Sequence, residues 1–110
     1  MLEACDHVAD MIEGKDRAAF EADRTIRRAV ERCLEIVSEA SRRLTATQTG
    51  SSPEIPWRSM ADMGNVLRHE YHRVAASVVW STARSLDDLR PVLVRLIAEL
   101  EENAPSPTAP

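Results

Sequence analysis

The sequence predicts an all-α fold, on its composition and on the spacing of its apolar residues. Ala, Leu, Val, Ile, Arg and Glu dominate, while only 4% of residues are aromatic and three are glycine, a composition that favours helices over pleated strands. Apolar side chains recur every three to four positions through most of the chain, the period of an amphipathic helix with one face in a core. With 110 residues the chain reads as one domain over residues 1–102. A core of that size is modest and gains from being shared across a dimer.

The elements follow in order. Leu2, Cys5, Ala9 and Ile12 place the chain in an amphipathic helix from its first residues, stopped by Gly14 as a C-cap. Asp16–Phe20 reads as a short turn. Ala22–Leu44 carries the strongest stripe, Ile26, Ala29, Val30, Cys33, Ile36, Val37, Ala40 and Leu44, and predicts a long core helix. Its outer face, with Arg27, Arg28, Glu31, Arg32, Glu35, Glu39, Arg42 and Arg43, reads as solvated charge held in Glu/Arg pairs.

Thr45–Pro53 has no periodicity and reads as a surface loop. Pro56 suits the first turn of a helix that buries Met60, Met63 and Leu67 and runs to about Tyr71. A short helix over Ala75–Ser85, around Val78, Val79 and Trp80, precedes a last one marked by Leu86, Leu89, Leu93, Leu96 and Leu100, with Pro91 in its first turns. These make about five helices. From Asn103 the chain is rich in Pro, Ser and Ala, and residues 103–110 are expected to be a disordered tail.

Formal net charge is −4, so any nucleic-acid contact must be made by a local basic patch. No signal-peptide pattern opens the chain and no apolar run approaches the ~20 residues of a membrane span; a soluble, cytoplasmic protein is expected. Cys5 and Cys33 fall on apolar stripes, where a free thiol behaves as a small buried hydrophobe; neither a disulfide nor a metal role is expected of them.

At about 100° per residue, Asn65, Arg68, His69 and His72 fall on one side of their helix at i, i+3, i+4 and i+7. Met63 and Leu67 point the other way, and Tyr71 lies between the two faces. Packing does not require four such groups on one stripe, although an isolated Arg-His pair is most simply a solvated helix face. Trp57 and Trp80 read as core or dimer anchors.

The order and spacing of Pro53-Glu54-Ile55-Pro56-Trp57-Arg58, Met63-Gly64-Asn65-Val66-Leu67-Arg68-His69-Glu70-Tyr71 and Val79-Trp80 resemble the HepT-like branch of the HEPN helical domains. Leu34–Leu44 is similar to that family's long second helix. The resemblance implies an antiparallel helical bundle acting as a homodimer. It also implies a toxin-type, metal-independent endoribonuclease without cofactor, paired with a nucleotidyltransferase antitoxin.

The family's signature is an arginine, four residues, a histidine, one residue and a tyrosine. His69 and Tyr71 match it, and Gly64 stands where the arginine belongs. Arg68 lies one turn on, and because helical side chains lean toward the N-terminus its guanidinium is expected to reach back over Gly64.

If the family's activity is retained, the residues take the following roles. His69 is the base for the RNA 2′-hydroxyl, and Arg68 stabilises charge on the phosphate. Asn65 hydrogen-bonds the imidazole or the substrate. Tyr71 is the acceptor of AMP from the partner, or in a purely structural role an amphipathic ring closing the helix. His72, Arg73, Arg58 and Arg84 flank the motif as sources of phosphate contacts, with His72, Arg73 and Arg58 assigned to substrate binding. The rival reading is a catalytically degenerate dimeric module that binds a partner and has lost cleavage with the motif arginine; a weaker third is a plain helical dimer with no RNA role.

Overall fold

Aspartates set the first helix boundaries. In the computed structural model, which describes residues 1–70 and 76–103, α1 (Leu2–Ile12) ends at Gly14, whose φ of 71° is the left-handed conformation a side chain would oppose. The expected Asp16–Phe20 turn is a helix, α2 (Arg17–Ala22), because the Asp16 carboxylate accepts from the Ala19 amide at 2.8 Å. Asp23 then breaks the chain into extended backbone and caps α3 (Arg24–Ser41), accepting from the Ile26 amide at 3.0 Å. The long core helix therefore starts two residues later than its apolar stripe suggests.

The loop expected over Thr45–Pro53 contains α4 (Ala46–Gly50). Thr45 Oγ1 accepts from the Gln48 amide at 3.1 Å while Gln48 Oε1 accepts from the Thr45 amide at 2.8 Å, a reciprocal cap that satisfies two donors without any apolar stripe. Beyond it, the Trp57 indole N–H donates to the carbonyls of Thr49 and Ser52, each at 3.0 Å. Arg95 donates to the Ser52 hydroxyl, tying this connection to the last helix.

After α5 (Trp57–Glu70), the two helices expected over residues 75–100 are one, α6 (Ala76–Asn103), with Pro91 in its interior. Pro91 is exposed. The Asp87 carbonyl that proline leaves without its usual N–H partner lies on the solvent side, where water can satisfy it. At 28 residues the helix is about 42 Å long, most of the 55 Å long axis of the molecule. It reaches Asn103, the first residue of the expected tail; residues 104–110 lie outside the described residues.

Among the described residues the regular elements are six helices. α3 is central, packing on α1, α2, α5 and α6, and α1 and α2 also lie on α6. Phe20, Val30, Leu34, Val37, Val79 and Leu89 are almost wholly buried, each such side chain contributing about 1.5–3 kcal/mol. Trp80 is a core anchor: its ring lies 5.2 Å from that of Phe20, and the Arg84 guanidinium lies 5.7 Å from the Trp80 ring. Cys5 is buried and free, and burial pushes its thiol up to about 11; Cys33 is half-buried and also free. Ile36 and Leu100 lie on the predicted stripes but are exposed. No helix among the described residues is long and apolar enough to cross a membrane.

Candidate functional site

α5 is held by its inner face. Met60 and Leu67 are buried in the core and Met63 is packed against it, as their spacing predicts. Between them Gly64 is buried against α3. The Gly64 amide donates to the Ser38 hydroxyl at 2.9 Å, and that hydroxyl donates to the Ala61 carbonyl at 2.9 Å. Arg42 reinforces the crossing, its Nε and Nη2 donating to the same Ala61 carbonyl at 3.1 and 2.6 Å. A Cβ on residue 64 would stand 2.6 Å from Ser38 Oγ and 3.0 Å from Ser38 Cβ. Glycine is therefore what allows the helices this close an approach.

The outer face is built differently. Asn65 and Arg68 are both exposed, one helical turn apart, and Arg68 Nη2 donates to Asn65 Oδ1 at 3.0 Å. The same nitrogen lies 3.9 Å from where a Gly64 Cβ would stand, so the guanidinium folds back over Gly64 as the lean of helical side chains predicts. Asn65 holds Arg68 in this arrangement. Among the described residues no carboxylate forms an ion pair with Arg68.

His69 follows Arg68 on α5; its side chain lies outside the described residues, as do Tyr71, His72 and Arg73. Arg58 is exposed in the first turn of α5, and Arg84 is engaged with Trp80. Two features escaped the sequence reading. Ser38 lay unremarked in the long helix, although a serine four residues after Leu34, followed by Ser41 at i+3, puts small polar groups on a buried row, a signal of close helix approach. Arg43 was read as ordinary surface charge, yet it lines with Arg68 a groove of about 320 Å³ between α3 and α5.

On the other side of α5 an apolar groove of about 350 Å³ is lined by Leu34, Met63, Leu67 and Val79, with Val66 and Val78 on its rim, 43% and 55% exposed. Among the described residues no three His, Cys, Asp or Glu side chains converge as metal ligands.

The family model described as "Ribonuclease HepT-like" matches residues 1–96. A provisionally named RNase of Methanocaldococcus jannaschii is 29% identical over 103 residues, 93% of this chain and 89% of its own. A second from the same organism is 31% identical over 84 residues, 76% of this chain and 77% of its own. The probable ribonuclease HepT of Thermococcus cleftensis is 42% identical over 65 residues, 59% of each chain. No solved structure matches the chain.

Proposed function

Because the chain belongs to the HepT-like ribonuclease family, we propose that it is a metal-independent endoribonuclease, the cytoplasmic toxin of a HEPN/nucleotidyltransferase pair. Residues 1–102 form its HEPN domain. The observation that carries this reading is the placement of the Arg68 guanidinium over Gly64, tethered by Asn65. A positive charge thus stands beside the helical position that the family's arginine would occupy.

In this mechanism His69 takes the proton of an RNA 2′-hydroxyl, and the 2′-oxygen attacks the adjacent phosphorus. The bond to the 5′-oxygen breaks, and the imidazolium returns the proton to that leaving oxygen. Arg68 neutralises charge gathering on the non-bridging oxygens, and Asn65 positions Arg68. Arg58, His72 and Arg73 contact neighbouring phosphates. His69→Ala should lower cleavage by about 10²–10⁴-fold with no change in melting temperature, and EDTA should have no effect. Cleavage that survives His69→Ala, or stops with EDTA, contradicts the assignment.

The protein acts as a homodimer whose two His69 motifs share one cleft, a reading supported by the exposed apolar rim at Val66 and Val78. Its partner is a nucleotidyltransferase that silences it by transferring AMP to Tyr71. Sedimentation at micromolar concentration and intact-mass analysis after co-expression with the transferase test both; a 12.3 kDa monomer, or a Tyr71 never modified, removes the corresponding part.

The closing of residue 64 by Ser38 favours a second reading, a dimeric partner-binding module that has given up cleavage. Wild-type protein that dimerises and binds its partner but never cuts RNA would favour that alternative.

A further inference from the structure

We infer that the groove between α3 and α5 is a phosphate-binding track in which Arg43, together with Arg68, holds the RNA backbone next to the scissile bond. The inference rests on the proposed ribonuclease reading and adds a binding residue from a different helix.

Arg32, Glu35, Glu39, Arg43 and Arg68 line the groove over the apolar surface of Ile36. Both carboxylates are engaged: Glu35 pairs with Arg32 at 3.1 Å and Glu39 with Arg42 at 3.6 Å. Arg43 and Arg68 remain, and among the described residues neither has a carboxylate partner. Three arginines thus line the groove with two glutamates in a chain whose formal net charge is −4. An acidic protein that takes a polyanion must do so at a local patch of this kind.

The turn that carries Arg43 is anchored. Arg42, just before it, is bound through two nitrogens to the Ala61 carbonyl of α5, and the Arg43 amide donates to the Ala40 carbonyl at 3.1 Å. Its backbone is therefore fixed relative to α5 while its guanidinium is exposed. A phosphodiester matches guanidinium forks that hold no carboxylate, because each phosphate presents two non-bridging oxygens to accept paired N–H donors.

The test is equilibrium binding of the full chain to a fluorescent single-stranded RNA whose 2′-oxygens are methylated, so that binding is read without cleavage. Arg43→Gln should weaken the Kd about five- to tenfold at about 0.1 M salt and lower the slope of log affinity against log salt by about 0.7. Arg43→Lys should keep the slope, and Arg24→Gln, at the start of α3, should change neither quantity. An Arg43→Gln protein that binds as tightly as wild type and with the same slope overturns the track while leaving the ribonuclease reading standing. Wild-type protein that does not bind the oligonucleotide at all removes the RNA reading, and the track falls with it.

Discussion

On its inner face α5 lies so close to α3 that residue 64 has no room for a methyl group, whereas on its outer face Asn65 and Arg68 stand in solvent, bonded to each other. The inner contact is fixed by donors and acceptors from four residues, Ser38, Arg42, Ala61 and Gly64, meeting at one crossing. The outer contact is a single hydrogen bond between exposed side chains. The contrast teaches that residue 64 is committed to the helix contact, where only a glycine fits, while the Arg68 guanidinium that folds back over it belongs to the solvent side.

Changing residue 64 breaks the comparison most severely. Gly64→Arg would restore the family's pattern, yet its Cβ meets Ser38 Oγ and Cβ, both on a buried residue that cannot swing aside. The variant should lose about 3 kcal/mol or more in chemical denaturation, as overpacking of a tight core does. Pairing it with Ser38→Gly should recover part of that loss, less the ~1 kcal/mol of a glycine inside a helix. Gly64→Ala should cost about 1–2 kcal/mol, because the contact outweighs alanine's helix propensity. Ser38→Ala sits at the small end, about 1 kcal/mol for the lost hydrogen bonds, with RNA cleavage unchanged. A Gly64→Arg protein as stable as wild type would show that the crossing is not tight.

Much of this was legible in the sequence. The stripe of α6 located Leu86, Leu89, Leu93 and Leu96 in the core, whereas on that of α3 only Val30 and Val37 are buried and Leu34, off the stripe, is buried as well. The i, i+3 spacing of Asn65 and Arg68 put both on the outer face of α5, with the backward reach of Arg68 following from helix geometry. Other features were not, for identifiable reasons. Gly64 was visible only as a missing arginine because Ser38, which explains it, lies 26 residues away on another helix. Pro91 marked a helix start by the usual rule, and only its exposed position shows why α6 tolerates it mid-helix. α4 is held by a capping box at Thr45 and Gln48, a signal that apolar periodicity does not carry.

The account rests on Arg68 performing, from the outer face, the task that Gly64 cannot. The most direct test is the single-turnover cleavage rate of Arg68→Ala against wild type on the same RNA, with thermal melts confirming that both are folded. Loss of charge-assisted hydrogen bonds to a transition-state phosphate should slow cleavage by about 10²–10³-fold, or about 2.7–4 kcal/mol, with little change in melting temperature because the side chain is exposed. An Arg68→Ala enzyme that cleaves at the wild-type rate would contradict it, and the phosphate would have to be held elsewhere, by Arg58, Arg73 or His72.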